Sequence, residues 1–202
     1  MKLLNTVLAA LVLTAALPAP PASATPPPPP RERTDCAARV YIVDDLVCAT
    51  QDLMRLDGLA GDRWMMLLPN LRPEWPSLVE KQTDWYWRRG MCFKASDQRR
   101  CLDAAYNDRL EVLAALNERP AAGTGEATEC EGPPWGKQPM FLNRRGQGGA
   151  LVVSNADGVI MAVATPPNPH GWTPGVTIAS ESATAIELKP SGDGPSIICR
   201  RS

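Results

Sequence analysis

The residues with the most chemical potential in this chain are its six cysteines and the polar face that leads up to one of them. Gln82, Trp85, Arg89 and Cys92 follow one another at steps of three, four and three, with Leu78 four residues ahead. On an α-helix those positions share one face. An amide, an indole, a guanidinium and a thiol on one face do not make an ordinary apolar stripe. They predict specific polar contacts and a covalent tie to a neighbouring element. The tie is not zinc, because structural zinc is held by close pairs such as Cys-x2-Cys. Here eleven residues separate Cys36 from Cys48 and eight separate Cys92 from Cys101. An even set of cysteines behind an export signal reads instead as disulfides in an oxidising compartment.

Catalytic equipment is sparse. The single histidine, His170, sits in a Pro-Asn-Pro-His-Gly stretch that reads as a surface loop. Gly-x-Ser-x-Gly and a phosphate-binding glycine loop are both missing, and no spacing positions two carboxylates as an acid and a base. The expectation is a protein that binds rather than catalyses, with no cofactor and no metal.

The N-terminus sets the compartment. Lys2 precedes an apolar run from Leu3 to Leu17, and Ala22-Ser23-Ala24 follows. A short apolar core before Ala-x-Ala predicts a secretory signal over residues 1–24, cleaved after Ala24. The run is shorter than the about 20 apolar residues that span a bilayer. No cysteine stands at the cleavage site, so lipid attachment there is not expected. The formal charge of the whole chain is −1, and losing Lys2 makes it −2. That balance offers no general attraction for nucleic acid and no polybasic membrane signal. The expected location is the periplasm or the exterior, without stable membrane insertion.

Proline and glycine divide the rest. Residues 25–34 hold a proline tract that predicts an extended spacer. A second break at 120–139, rich in both, predicts a linker. Between them the pattern is helical. Thr34 can cap a first helix from Asp35 that carries Val40, Val43 and Val47, and Thr50 can cap a second. Pro76 can open a third helix, and Ser96 can cap a fourth that carries Leu102, Tyr106, Arg109 and Leu113 on one face. If the first helix runs unbroken, Cys36 and Cys48 lie about 18 Å apart at 1.5 Å per residue. They then cannot bond each other, and each reaches across to Cys92 or Cys101. A break in that helix would permit local pairs instead.

After residue 139 the period changes to that of strands. Ala150–Val153 and Val159–Ala164 flank Asn155-Ala156-Asp157-Gly158, a hairpin signal. Further strands are expected at Val176–Ala179, Thr184–Leu188 and Ser196–Cys199. Cys130 and Cys199 bracket this part and should close it with a disulfide. The fold class is therefore α+β: a disulfide-stapled helical domain of about four helices at 35–119, then a small antiparallel β-domain at 140–202.

The cysteine spacing, Leu53-x2-Leu56-Asp57, the Gln82/Trp85/Arg89/Cys92 face and Cys101-Leu102…Arg109…Leu113 together resemble the N-terminal domain of the LprI-type lysozyme inhibitors. The resemblance covers about residues 35–116. It implies a small secreted or periplasmic helical domain and, for some members, inhibition of lysozyme; the alternative is an envelope interaction module without that activity. The C-terminal part weakly resembles small β-barrel inhibitors of C-type lysozyme. It lacks their Ser-Gly-x-x-Tyr element and reads Pro166-Pro167-Asn168-Pro169-His170-Gly171-Trp172 in that place.

Two readings attach to the helical domain. Leu56, Asp57, Gln82, Trp85, Arg89, Leu102, Tyr106, Arg109 and Leu113 read as a structural motif, with Asp57 a candidate partner for Arg89. The aspartates from Asp35 to Asp62 read as a solvated face or as a docking surface for a basic lysozyme, with Asp44, Asp45 and Asp52 as its candidate contacts.

Overall fold

The computed structural model describes residues 33–70, 78–118, 120–145 and 149–201. The signal-peptide reading, most of the proline spacer and Pro76 lie outside those residues. Within them, four α-helices precede seven strands, so the fold is α+β. The helices are α1 (Asp44–Ala49), α2 (Gln51–Leu67), α3 (Gln82–Gly90) and α4 (Gln98–Asn117), with 3₁₀ turns at Leu68–Asn70 and Met91–Lys94.

The first helix is much shorter than its valine periodicity predicts. Residues 35–43 form turns, because the Asp44 carboxylate accepts the backbone N–H groups of Val40 and Tyr41, each at 2.9 Å. A side chain that captures nearby backbone donors competes with helix propagation. The turns fold Cys36 back to within 5.7 Å (Cα–Cα) of Cys48, and these two are disulfide-bonded to each other. Cys92 and Cys101 form the second local bridge across the turn from α3 to α4. The cross-links expected between the first helix and the α3–α4 pair are therefore not made. The α2 start falls after Thr50, whose extended backbone (φ −122°, ψ 111°) breaks α1 from α2 without any hydroxyl cap. Asp97, not Ser96, caps α4 by accepting the Arg100 N–H at 3.0 Å.

The strands are β1 (Glu126–Gly132), β2 (Gly136–Arg145), β3 (Ala150–Ser154), β4 (Ile160–Ala164), β5 (Val176–Glu181), β6 (Ala185–Pro190) and β7 (Ile197–Arg201). They form one antiparallel sheet in the order β4-β3-β2-β1-β7-β6-β5. The sheet curls almost into a barrel, and one parallel bridge, Thr165 to Thr177, joins its two ends. β1 and the start of β2 occupy the stretch that reads as a linker. Their sequences are polar, and in β1 only Thr128 and Cys130 are buried. The Cys130–Cys199 bridge joins directly paired residues of β1 and β7.

Two cores result. One fills the barrel, with Met140, Leu151, Val153, Ile186, Leu188 and Ile197 among its residues. The other lies among the helices but also takes in Ala150, Val152, Val163 and Trp172 from the β part. Strand β3 is buried along its whole length because its alternate side chains serve the two cores. Leu78, expected on the α3 face, is not helical. Its N–H donates to the Met161 carbonyl at 2.7 Å, and its side chain packs against the barrel core. Leu78 thus sits at the β4 edge, where a barrel seam would otherwise expose unpaired backbone.

Candidate functional site

The polar residues converge at the centre of the helical layer around Arg89, which is fully buried. α3 delivers Arg89 and Tyr86, α2 delivers Asp57, α4 delivers Tyr106, and Asp44 comes from the first residue of α1. Arg89 Nη2 pairs with Asp44 Oδ1, while Nη1 donates to the Tyr106 hydroxyl at 2.6 Å and the Thr34 hydroxyl at 2.7 Å. Nη1 also stands 3.4 Å from Asp57 Oδ1. Asp57 in turn accepts the Tyr106 hydroxyl at 2.7 Å and both the N–H (2.7 Å) and the hydroxyl (2.8 Å) of Thr34. One guanidinium thus balances two carboxylates with help from neutral donors, which is how a buried charge is made tolerable. Burial raises the phenols of Tyr86 and Tyr106 well above their ordinary range, and the Asp57 carboxylate reinforces this, so both remain protonated donors.

A second cluster lies one turn away on α4. Arg109 Nε and Nη2 both donate to Gln82 Oε1, at 3.1 and 2.7 Å, and Nη1 reaches the Glu80 backbone carbonyl at 3.3 Å. Its guanidinium stacks near Trp64 and Trp85, 5.1 and 5.6 Å from the ring centroids. Burial lowers Arg109 to about 10, so it stays charged at neutral pH. Trp85 is fully buried between Tyr86 and Tyr106, with centroids 5.0 and 5.3 Å away.

The junction with the barrel is also polar. The half-buried Asp108 accepts the Thr165 hydroxyl and the Trp172 indole N–H, the latter at 2.9 Å. Arg88 pairs with Glu80, donates to the Thr173 carbonyl and lies 4.3 Å from the Trp172 ring centroid. These contacts hold the 165–175 connection against α3 and α4.

The Arg89 and Arg109 clusters are internal to the helical layer. Each carboxylate of the Arg89 cluster is surrounded by donors, and none of its charged side chains is exposed. Asp44 is therefore corrected: it is 1 % exposed and bonded to Arg89, so it cannot belong to a docking surface. Asp44 is also the nearer carboxylate partner of Arg89, where the sequence pointed to Asp57. Asp44 and Asp45 both stand shortly before Cys48, where the resembled family often carries a Glu, and that does not tell which of the two turns inward. Asp45 and Asp52 are on the surface, but Arg39 pairs with Asp45 and Arg99 stands 3.7 Å from Asp52. Arg33 likewise covers Asp62. The aspartate-rich face is thus largely neutralised by its own arginines. His170 is exposed, and Trp172 beside it is buried. Among the described residues no three His, Cys, Asp or Glu side chains gather as metal ligands, and no helix is long and apolar enough to cross a membrane. All six cysteines are paired.

No family model and no solved structure matches the chain. It is similar to the protein named Lipoprotein LprI of Mycobacterium bovis and to that of two strains of Mycobacterium tuberculosis. The identity is 29 % over 124 residues, covering 61 % of this chain and 60 % of each relative. The chain thus spans about three-fifths of the length of these curated relatives.

Proposed function

We propose that this protein works outside the cytoplasm as a binding protein that inhibits a lysozyme-like muramidase by covering its cleft. The observation that carries the reading is the similarity to Lipoprotein LprI, together with the helical motif that resembles LprI-type inhibitors. Three disulfides with no free thiol support an oxidising location. The mechanism is steric occlusion, since the polar clusters are internal.

The contact surface, on this reading, lies on the helical layer. The 165–175 connection of the β part lacks Ser-Gly-x-x-Tyr, and its Trp172 is packed beneath Arg88. The helical layer exposes Trp87 at 61 % and Ile42 at 69 %, and exposed tryptophan is a frequent anchor of protein interfaces. Asp45 and Asp52 keep a minor part, because each is screened by an arginine.

The test is lysis of bacterial cell walls by animal-type and goose-type lysozymes, with full-length mature protein added. Near-stoichiometric slowing is expected. Trp87→Ala should lose at least about tenfold in potency, as an anchor worth about 1.4 kcal/mol or more would. The double change Asp45→Asn, Asp52→Asn should lose much less. Undiminished lysis with excess folded protein would leave the alternative, an envelope interaction module without inhibitory activity. That alternative is favoured by the neutralised aspartate face, which offers a basic enzyme little attraction.

A further inference from the structure

We propose that the outer face of α2 is a methionine-oxidation site, open to peroxide-class oxidants, at which Met54, Met65 and Met66 become sulfoxides while the fold is retained. Their exposures are 49 %, 45 % and 65 %, against 0 % and 2 % for Met140 and Met161 in the barrel core. Met54 and Met65 stand eleven residues apart, so they fall on nearly the same line along the helix, about 16 Å apart at 1.5 Å per residue. Met66 shares a second line with Leu59, itself 38 % exposed. The buried side of α2 is made by Leu53, Leu56, Asp57, Ala60, Trp64 and Leu67, and none of the three methionines belongs to it.

The chemistry follows from what the surface lacks. In most proteins a thiolate takes an oxidant first, but every cysteine here is already in a disulfide. The thioethers are then the softest nucleophiles in contact with solvent. Each attacks the peroxide O–O bond, one oxygen is transferred to sulfur, and water leaves when hydrogen peroxide is the oxidant. Sulfur is oxidised and peroxide is reduced, with no other reactant. The product is polar where the thioether was apolar, and methionine sulfoxide reductases reverse it. Three apolar side chains on the outer face of α2 thus become polar while both cores keep their side chains.

The test treats the full chain with dilute hydrogen peroxide and follows intact mass, peptide maps and the circular-dichroism melt. Met54, Met65 and Met66 should be converted at least about tenfold faster than Met140 and Met161, as solvent access dictates. Helical signal and melting temperature should hold once peptide maps show Met54, Met65 and Met66 converted. The variant Met54→Leu, Met65→Leu, Met66→Leu should fold normally and take up three fewer oxygens over the same exposure. Barrel methionines reacting as fast as the three, or loss of helical signal once the three have reacted, would overturn the proposal.

Discussion

Arg89 shows how one side chain can organise a small core. It lies 3.4 Å from Asp57, pairs with Asp44 and bonds the hydroxyls of Thr34 and Tyr106, so it joins α3 to α1, α2, α4 and the segment before α1. Removing it leaves two buried carboxylates with neutral donors only. Arg89→Ala should therefore destabilise by about 3–5 kcal/mol, the cost of breaking a buried ion pair from one side. Arg89→Lys should recover only part of that, since one ammonium cannot span the donors of a planar fork. Trp85→Ala should cost about 3–5 kcal/mol through the cavity left between Tyr86 and Tyr106. Chemical denaturation of each variant measures these values, and a change under 1 kcal/mol for Arg89→Ala would refute the account of the cluster. The identities of Arg89, Trp85 and Cys92 as an inward face were legible from their spacing. The choice of Asp44 over Asp45 was not, because neighbouring aspartates differ only in which way a turn aims them.

At the scale of elements, the disulfides were legible in number and not in pattern. Peptide mapping under non-reducing conditions should recover Cys36–Cys48, Cys92–Cys101 and Cys130–Cys199 and no cross-link between the first two pairs. The Cys130–Cys199 bridge closes the longest loop, a separation of 69 residues, and its removal should cost about 4 kcal/mol. The expected cross-links rested on an unbroken first helix, and one carboxylate that captures two backbone donors was enough to break it.

The contact between α4 and the 165–175 connection carries a pH signature. Loss of solvent raises the Asp108 carboxyl above its ordinary value despite the donors from Thr165 and Trp172 and the nearby Arg88, and Glu80 adds to the rise. A carboxyl raised on folding contributes stability that is full below its unfolded value, about 3.9, and is lost as pH rises through the raised one. Asp108→Asn has no such loss. The stability of Asp108→Asn relative to the unsubstituted protein should thus increase as pH is raised from about 3.9 through the window just above it. Urea melts across that range read the difference, and a difference independent of pH would show that Asp108 titrates normally.

For the whole molecule, the helical layer and the barrel share side chains and backbone. Ala150, Val152, Val163 and Trp172 serve the helical core, while Leu78 serves the barrel. The Ala150 N–H donates to Glu111 of α4 at 3.1 Å, and the Leu78 N–H donates to Met161 of β4. Calorimetry should therefore give one unfolding transition for the full chain. A fragment ending after Asn117 should melt well below it, since its apolar face toward β3 and β4 would be left in water at roughly 25 cal/mol per Å². Two independent transitions, or a fragment as stable as the full chain, would show separable domains. The same shared core sets a condition on functional mapping: a partner surface on the helical layer is best tested in the intact protein.

The sequence by itself determined the α+β class, the four helices, the later strands and the Asn155–Gly158 hairpin, because these follow from local periodicity and turn chemistry. It also determined the Cys130–Cys199 bracket around the β part. Tertiary structure alone decided how Cys36 and Cys48 pair, that Asp44 is internal, that Leu78 leaves the helix to line β4, and that polar β1 is a strand. Each of those outcomes depends on a partner distant in sequence. A carboxylate turns inward when a guanidinium waits there, and a polar stretch becomes a strand when neighbouring strands offer it a ladder. Side-chain spacing records which residues can share a face, while the far partner determines which face is buried.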